Sequence, residues 1–226
     1  MSAEPLDQIL ERLQSQYKWQ PLPDPTPEEL AQREADERRE AEYARQAKAA
    51  RLFEAGNIPP RHRDKADIKR DGPWGQALAK LLAKLHTGAE TALIGKWGPG
   101  KTQLAVEVMR EGAQRHYTVR YATATEFFLD LTASFKDPQK TERDVIEEYF
   151  RPRVLVLDEM DKRAEKEWHQ RLLFELADRR YREGFKYTLM IANQEKSDFI
   201  ASIGQSIASR MRETGGIIEC NWPSFR

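Results

Sequence analysis

The chain has 226 residues, with 37 Lys and Arg set against 37 Asp and Glu, four His and one Cys. Zero net charge supplies no global basic field, so any nucleic-acid surface has to be a local patch. The single Cys220 excludes an intrachain disulfide framework and a cysteine-based zinc site, and His62, His86, His116 and His169 show no metal-ligand spacing.

Glu4, Asp7 and Glu11 in the first twenty residues are wrong for a signal peptide. No run approaches the roughly eighteen apolar residues of a membrane span, so a soluble, cytoplasmic protein is expected. Leu6, Ile9, Leu10, Leu13 and Tyr17 recur on one face of a short helix. Pro21 to Pro27 then forms an extended, semi-rigid linker. Thr26 at the N-cap, Pro27 at N1 and Glu29 at N3 open a second helix, which runs to Ala55 with Gly56 ready as the C′ residue. From Glu28 to Arg51 it is almost wholly Glu, Arg, Ala and Gln, a solvated strut supported by mixed charges at i,i+4. Residues 1–54 therefore read as a helical N-terminal appendage for a partner, and residues 55–226 as the globular domain.

Asn57 to Arg63 is a lead-in loop, and Trp74 to Leu85 a helix before the first strand, Thr91 to Ile94. Gly95, Gly100, Lys101 and Thr102 then fit G-x-x-x-x-G-K-[ST], the phosphate-cradling loop, between a strand and the helical pattern of Thr102 to Met109. Glycines let successive N–H groups curl round a phosphate. Lys101 would reach the β/γ-phosphates, Thr102 would hold Mg²⁺, and a helix start at Gly100 adds its positive end. The expected ATP-binding set is Gly95, Gly98, Pro99, Gly100, Lys101, Thr102 and Gln103. Trp97 stands inside this loop where smaller residues are usual.

Tyr117 to Tyr121 is a second strand, followed by helices over Glu126–Ser134 and Thr141–Phe150. Val154 to Leu157 is a third strand, continuously apolar as a central parallel strand should be. A long amphipathic helix covers about Glu165–Glu183, Tyr187 to Ile191 is a fourth strand, two short helices follow, and Gly216 to Cys220 is a fifth strand. Alternating strands and helices give an α/β fold with a five-stranded parallel sheet flanked by helices.

Asp158 and Glu159 follow the third strand directly, at the carboxyl end where ligands sit in such sheets. Asp158 is placed to hold Mg²⁺ through water, and Glu159 to polarise the attacking water. Asn193, closing the fourth strand, either reaches the γ-phosphate or attacking water or is an ordinary turn residue. Arg210 and Arg212 precede the last strand; either serves as an arginine finger on a neighbouring subunit, or Arg210 simply pairs with Glu213.

Gly95–Thr102, Asp158-Glu159, Asn193, Ser209-Arg210 and the ending Asn221-Trp-Pro-Ser-Phe-Arg226 together resemble the DnaC-type bacterial and phage helicase loaders of the AAA+ superfamily. Gly56-Asn-Ile-Pro-Pro60, Asp178-Arg-Arg180 and Ile203-Gly204 also match in place, over about residues 55–226. The resemblance implies an ATPase whose N-terminal part grips a hexameric replicative helicase, with subunits assembling in an ATP-dependent spiral around single-stranded DNA. It assigns Lys101 and Thr102 to Walker A, Asp158 and Glu159 to Walker B, Asn193 to sensor 1 and Arg210 to the finger. Phe135 and Trp168, with Lys136 and Lys166 alongside, fall where that family places its single-strand contacts; by composition they are equally core and packed-helix residues. With six residues after Cys220, no C-terminal helical lid is expected. The related IstB-type transposition ATPases, which bind duplex DNA, share the same nucleotide site, and the neutral charge tilts the expectation toward the loader.

Overall fold

The computed structural model describes residues 6–17, 24–64, 72–162 and 167–224. Lys166, residues 21–23 of the linker and the side chains of Leu6, Leu10 and Tyr17 lie outside this description. The chain divides into two units, Met1–Ala44 and Arg45–Arg226. The division falls inside one helix.

Helix α1 spans Leu6–Tyr17 and α2 spans Pro27–Glu54, with no buried residue along α2. The Thr26 N–H donates to Glu29 Oε2 at 2.8 Å and the Glu29 N–H to Thr26 Oγ1 at 3.2 Å, a capping box that satisfies two orphan donors. Glu34–Arg38 and Asp36–Arg39 pair along the exposed surface. Gly56 closes the helix with a bond to Phe53 O, but the left-handed residue is Asn57, at φ 55°. What demands glycine at 56 is space: a Cβ there would lie 2.8 Å from Val119 Cγ2.

The second unit continues with α3 (Pro73–Lys84), β1 (Glu90–Ile94), α4 (Lys101–Gln114), β2 (Val119–Thr123), α5 (Ala124–Ser134), α6 (Glu142–Phe150) and β3 (Val154–Asp158). Then come α7 (Glu167–Glu183), β4 (Tyr187–Ile191), α8 (Lys196–Ile203), α9 (Gln205–Thr214) and β5 (Gly216–Glu219). The strands form one five-stranded parallel sheet in the order β2-β3-β4-β1-β5. Side chains alternate across it. Leu155, Leu157, Ala92, Ile94 and Met190 face a core with α5 to α9, whereas Val154, Val156, Leu93, Leu189 and Ile191 face α3 and α4. Both faces are covered, which is why β1, β3 and β4 are buried throughout. Among the described residues no helix is long and apolar enough to cross a membrane.

The second strand begins two residues later than its apolar pattern predicts. His116 takes φ 60°, and the N–H groups of His116 and Tyr117 bond back to Ala113 O and Gly112 O, both at 2.9 Å. This Schellman closure of α4 uses up the first residues of the run. At its other end Thr123 is the N-cap of α5, in a capping box with Glu126, so that helix starts at Ala124.

At the amino-terminal end of the sheet Arg180 is fully buried. It donates to Thr188 Oγ1 and to the carbonyls of Tyr149, Phe150, Pro152, Arg153 and Tyr187. Burial lowers its pKa to about 9, with Glu90 opposing, so it stays charged at neutral pH. Glu90 is 2% exposed, and among the described residues neither carboxylate oxygen meets a hydrogen-bond donor. Burial raises its pKa from 4.5 to about 7, outweighing the attraction of Arg210 and Arg180. A raised folded-state pKa means that stability is intact below pH 4.5 and falls as pH rises through 7. Glu90→Gln should therefore stabilise the fold by about 3 kcal/mol at pH 8 and by almost nothing at pH 4.5. Thermal melts of parent and variant at the two pH values check this; equal gains at both would refute it.

Candidate nucleotide-binding site

The strand order brings the carboxyl ends of β1, β4 and β3 side by side, and each delivers one part of the site. From β1 comes the loop Gly95–Gly100, in which Gly95, Gly98 and Gly100 take φ of 121°, 103° and 78°. These are left-handed values that side chains rarely adopt, so the motif glycines are there for backbone shape. The Lys101 ammonium folds back into the loop, donating to Gly95 O at 2.8 Å and Lys96 O at 2.7 Å. Burial lowers its pKa, opposed by Cys220, Asp158 and Asp161.

From β3 comes Asp158. It shares the parity of Val154 and Val156, so its carboxylate points to the α4 side, where Thr102 lies in the first turn of the helix. Thr102 Oγ1 and Tyr121 Oη each donate to Asp158 Oδ2 at 2.8 Å, and the Glu159 N–H donates to Oδ1 at 2.6 Å. Burial raises the Asp158 pKa, and these donors pull it back. Glu159 sits at φ 55°, which swings it off the strand line, and Lys162 Nζ holds its Oε1 at 2.6 Å. From the end of β4 comes Asn193, whose N–H donates to Asp161 Oδ1 at 2.8 Å and whose Nδ2 lies 3.4 Å from the same oxygen.

These groups line a cleft of about 480 Å³ that includes Gly98, Gly100, Lys101, Thr102, Asp158, Glu159 and Asn193. Gln103 lines it as well, 3.3 Å from the His62 ring, which brings the lead-in loop to its rim with Pro59 and Arg61. Trp97, 70% exposed, stands on the rim. Two indoles brace the loop: Trp74 Nε1 donates to Gly100 O at 3.3 Å and Trp222 Nε1 to Pro99 O at 2.8 Å. A side chain at Gly98 would collide with Ser224, and one at Gly95 would lie 3.0 Å from Cys220 O.

Among the described residues no group of three His, Cys, Asp or Glu side chains is placed to hold a metal alone. The hydroxyl of Thr102 beside the carboxylate of Asp158 is instead a pair of hard oxygens, which suits Mg²⁺ that completes its shell with phosphate oxygens and water.

The sequence model of the IstB-like ATP binding proteins matches residues 26–201, well over half of the chain. The chain belongs to this family. Its relatives point in two directions. It is 24% identical over 184 residues to the replicative helicase loader DnaC of Escherichia coli K12, covering 78% of this chain and 75% of DnaC. It is 29% identical over 166 residues to the insertion-sequence protein Rv3427c of Mycobacterium tuberculosis, covering 71% of this chain and 64% of that one. YdaV of Escherichia coli K12 is 28% identical over 184 residues, 78% and 73% of the two chains. A crystal structure of the DnaC helicase loader superposes with a TM-score of 0.60 at 16% identity, over 71% of this chain and 99% of that one. The IstB-like chain thus has the AAA+ P-loop core, with a helical segment ahead of it.

The remaining residues singled out in the sequence lie elsewhere. Arg210 does not line the cleft and does not pair with Glu213, which accepts from Tyr181. It pairs with Asp178 and lies over the rings of Phe174 and Tyr181 at 5.1 and 5.0 Å. Its carbonyl accepts from Thr214, whose hydroxyl oxygen accepts from the Glu90 N–H, so it sits at the end of β1 opposite the phosphate loop. Arg212 is exposed. Phe135 is not core: it is 61% exposed, beside the exposed Lys136, its ring 5.4 Å from that of half-buried Trp168. Sequence reasoning missed Tyr121, Asp161, Trp74 and Trp222. Of these, only Trp222 carried a signal, its place in the Asn221–Arg226 ending.

Trp222→Phe keeps an aromatic ring there and removes the donor to Pro99. One hydrogen bond of about 1 kcal/mol corresponds to an affinity for Mg-ATP weakened about fivefold. Calorimetry measures this directly, and an unchanged affinity would dismiss the brace.

Proposed function

We propose that this chain is an ATPase that binds a replicative helicase and helps to place it on single-stranded DNA. The observation that carries the nucleotide half is the 2.8 Å contact of Thr102 with Asp158, next to the Lys101 loop. Mg²⁺ held there would neutralise charge on the β- and γ-phosphates during phosphoryl transfer. Lys101 would leave the carbonyls of Gly95 and Lys96 for phosphate oxygens. Glu159 would orient and accept a proton from the attacking water, and Asn193, fixed by Asp161, would position that water or the γ-phosphate. Arg210 is assigned as a finger acting on the site of a neighbouring subunit in a spiral assembly.

The DNA half rests on Phe135 and Trp168, an aromatic pair that reaches solvent with Lys136 beside it. Rings of this kind stack bases without reading sequence. The amphipathic α1, tethered through a Pro-rich stretch, suits a helicase groove. The relative in an insertion sequence favours a second reading, a transposition helper that binds duplex DNA.

Lys101→Ala should abolish Mg-ATP binding, whereas Glu159→Gln should bind ATP and hydrolyse it roughly 100-fold more slowly. Unchanged hydrolysis in Glu159→Gln removes that residue from its role. Phe135→Ala should weaken single-strand binding by about 1–3 kcal/mol per lost stack and leave ATP binding intact. Equal binding of single-stranded and duplex oligonucleotides across a salt series, or a steep salt slope on duplex, would favour the transposition helper. Removing residues 1–25 should abolish co-purification with a replicative helicase but not ATP binding.

A further inference from the structure

We propose that Tyr121 is the positioning residue for the Mg²⁺-binding carboxylate, so that its hydroxyl sets the metal affinity of the site. This rests on the nucleotide-site reading and extends it to a strand that carries no part of the motifs.

Tyr121 lies in β2, in register with Val156 of β3, two residues before Asp158 and on the same face of the sheet. From there its phenol reaches forward along the strand and donates to Asp158 Oδ2. The ring is 6% exposed, and burial together with Asp158 raises its pKa, so the group remains a phenol and a donor at all working pH. Asp158 Oδ2 has a second donor, Thr102 Oγ1, at the same 2.8 Å. The two hydroxyls have different futures. Thr102 would offer a lone pair of its oxygen to the metal while its O–H goes on donating to Asp158, so its geometry is tied to the metal. Tyr121, buried and anchored in the sheet, donates to no other acceptor among the described residues and stays on Oδ2. Tyr121 and the Glu159 N–H are the two donors that would keep the carboxylate oriented without themselves ligating the metal. Outer-shell hydrogen bonds of this kind typically govern metal affinity by about 10–100-fold.

The test uses the full chain and a fluorescent ATP analogue titrated with Mg²⁺. Tyr121→Phe should raise the Mg²⁺ concentration at half-saturation about 10-fold, while analogue affinity in EDTA stays within twofold of the parent. Tyr149→Phe, which removes another buried phenol bonded to Asp130, serves as the control and should leave the Mg²⁺ midpoint in place. An unmoved midpoint in Tyr121→Phe, an equal loss of metal-free affinity, or the same shift in Tyr149→Phe would overturn the assignment. Failure of the parent to bind the analogue would instead sink the nucleotide-site reading. Should Tyr121→Phe not fold, 3-fluorotyrosine at position 121 of the otherwise unchanged chain gives a second readout. Its ¹⁹F resonance should move when Mg²⁺ is added to the ATP-bound protein, and a resonance that does not respond refutes the proposal.

Discussion

The buried carboxylate of Asp158 gathers three donors from three separate segments: the Thr102 hydroxyl, the Tyr121 phenol and the Glu159 N–H. An anion at the end of an apolar strand is expensive unless its lone pairs are met. Here each donor is supplied by an element that the sheet has already fixed. Helix α4 starts at Lys101 because the loop before it is bent by glycines, and that start presents Thr102 toward the α4 face of β3. The alternation of β3 sends Asp158 to the same face. Strand β4, lying between β1 and β3, then places Asn193 between the phosphate loop and the acids. Displacing any one strand end would separate groups that are far apart in sequence.

The two ends of the sheet solve different problems. At the carboxyl end the Gly95 and Lys96 carbonyls of the phosphate loop accept from Lys101, those of Pro99 and Gly100 are held by the indoles of Trp222 and Trp74, and the Cys220–Ser224 segment lies against Gly95 and Gly98. Rigidity here lowers the ordering cost of binding a phosphate chain. At the amino end Arg180 collects five carbonyls and a hydroxyl from the α6–β3 turn and β4, and so closes the unpaired backbone of that turn. Glu90 is the cost of that arrangement: a carboxylate kept buried between Arg180 and Arg210 without a donor of its own.

What could be read from the sequence was whatever is encoded locally. The phosphate loop, the acid pair after Leu157 and the Thr26 capping box each depend on residues within a few positions of one another, and they stand where the pattern put them. The start of β2 was misread because Tyr117 is apolar and β-prone, yet its N–H is taken by the closure of α4. Tyr121 and Trp222 were not legible as parts of the site, since their partners are 37 and 123 positions away and depend on strand order. The pairing of Arg210 shows the same limit. Glu213 is the obvious neighbour at i+3, but Asp178 on α7 is the one within reach once α7 and α9 pack together.

That ion pair constrains how Arg210 can act. Its guanidinium is partly buried, committed to Asp178 and flanked by Phe174 and Tyr181, at the end of β1 away from its own phosphate loop. A role on this chain's own nucleotide is thus closed by geometry. A role in trans requires the neighbour to present a stronger acceptor than a single carboxylate, and a nucleotide γ-phosphate is one, with more charge and bidentate geometry for a guanidinium. Release then leaves Asp178 with Arg182, which already holds its other oxygen at 2.9 Å, so the acid is not stranded. The arrangement therefore keeps the guanidinium ordered in the single subunit, and under the proposed role in trans its exchange to a phosphate would leave no carboxylate unpaired.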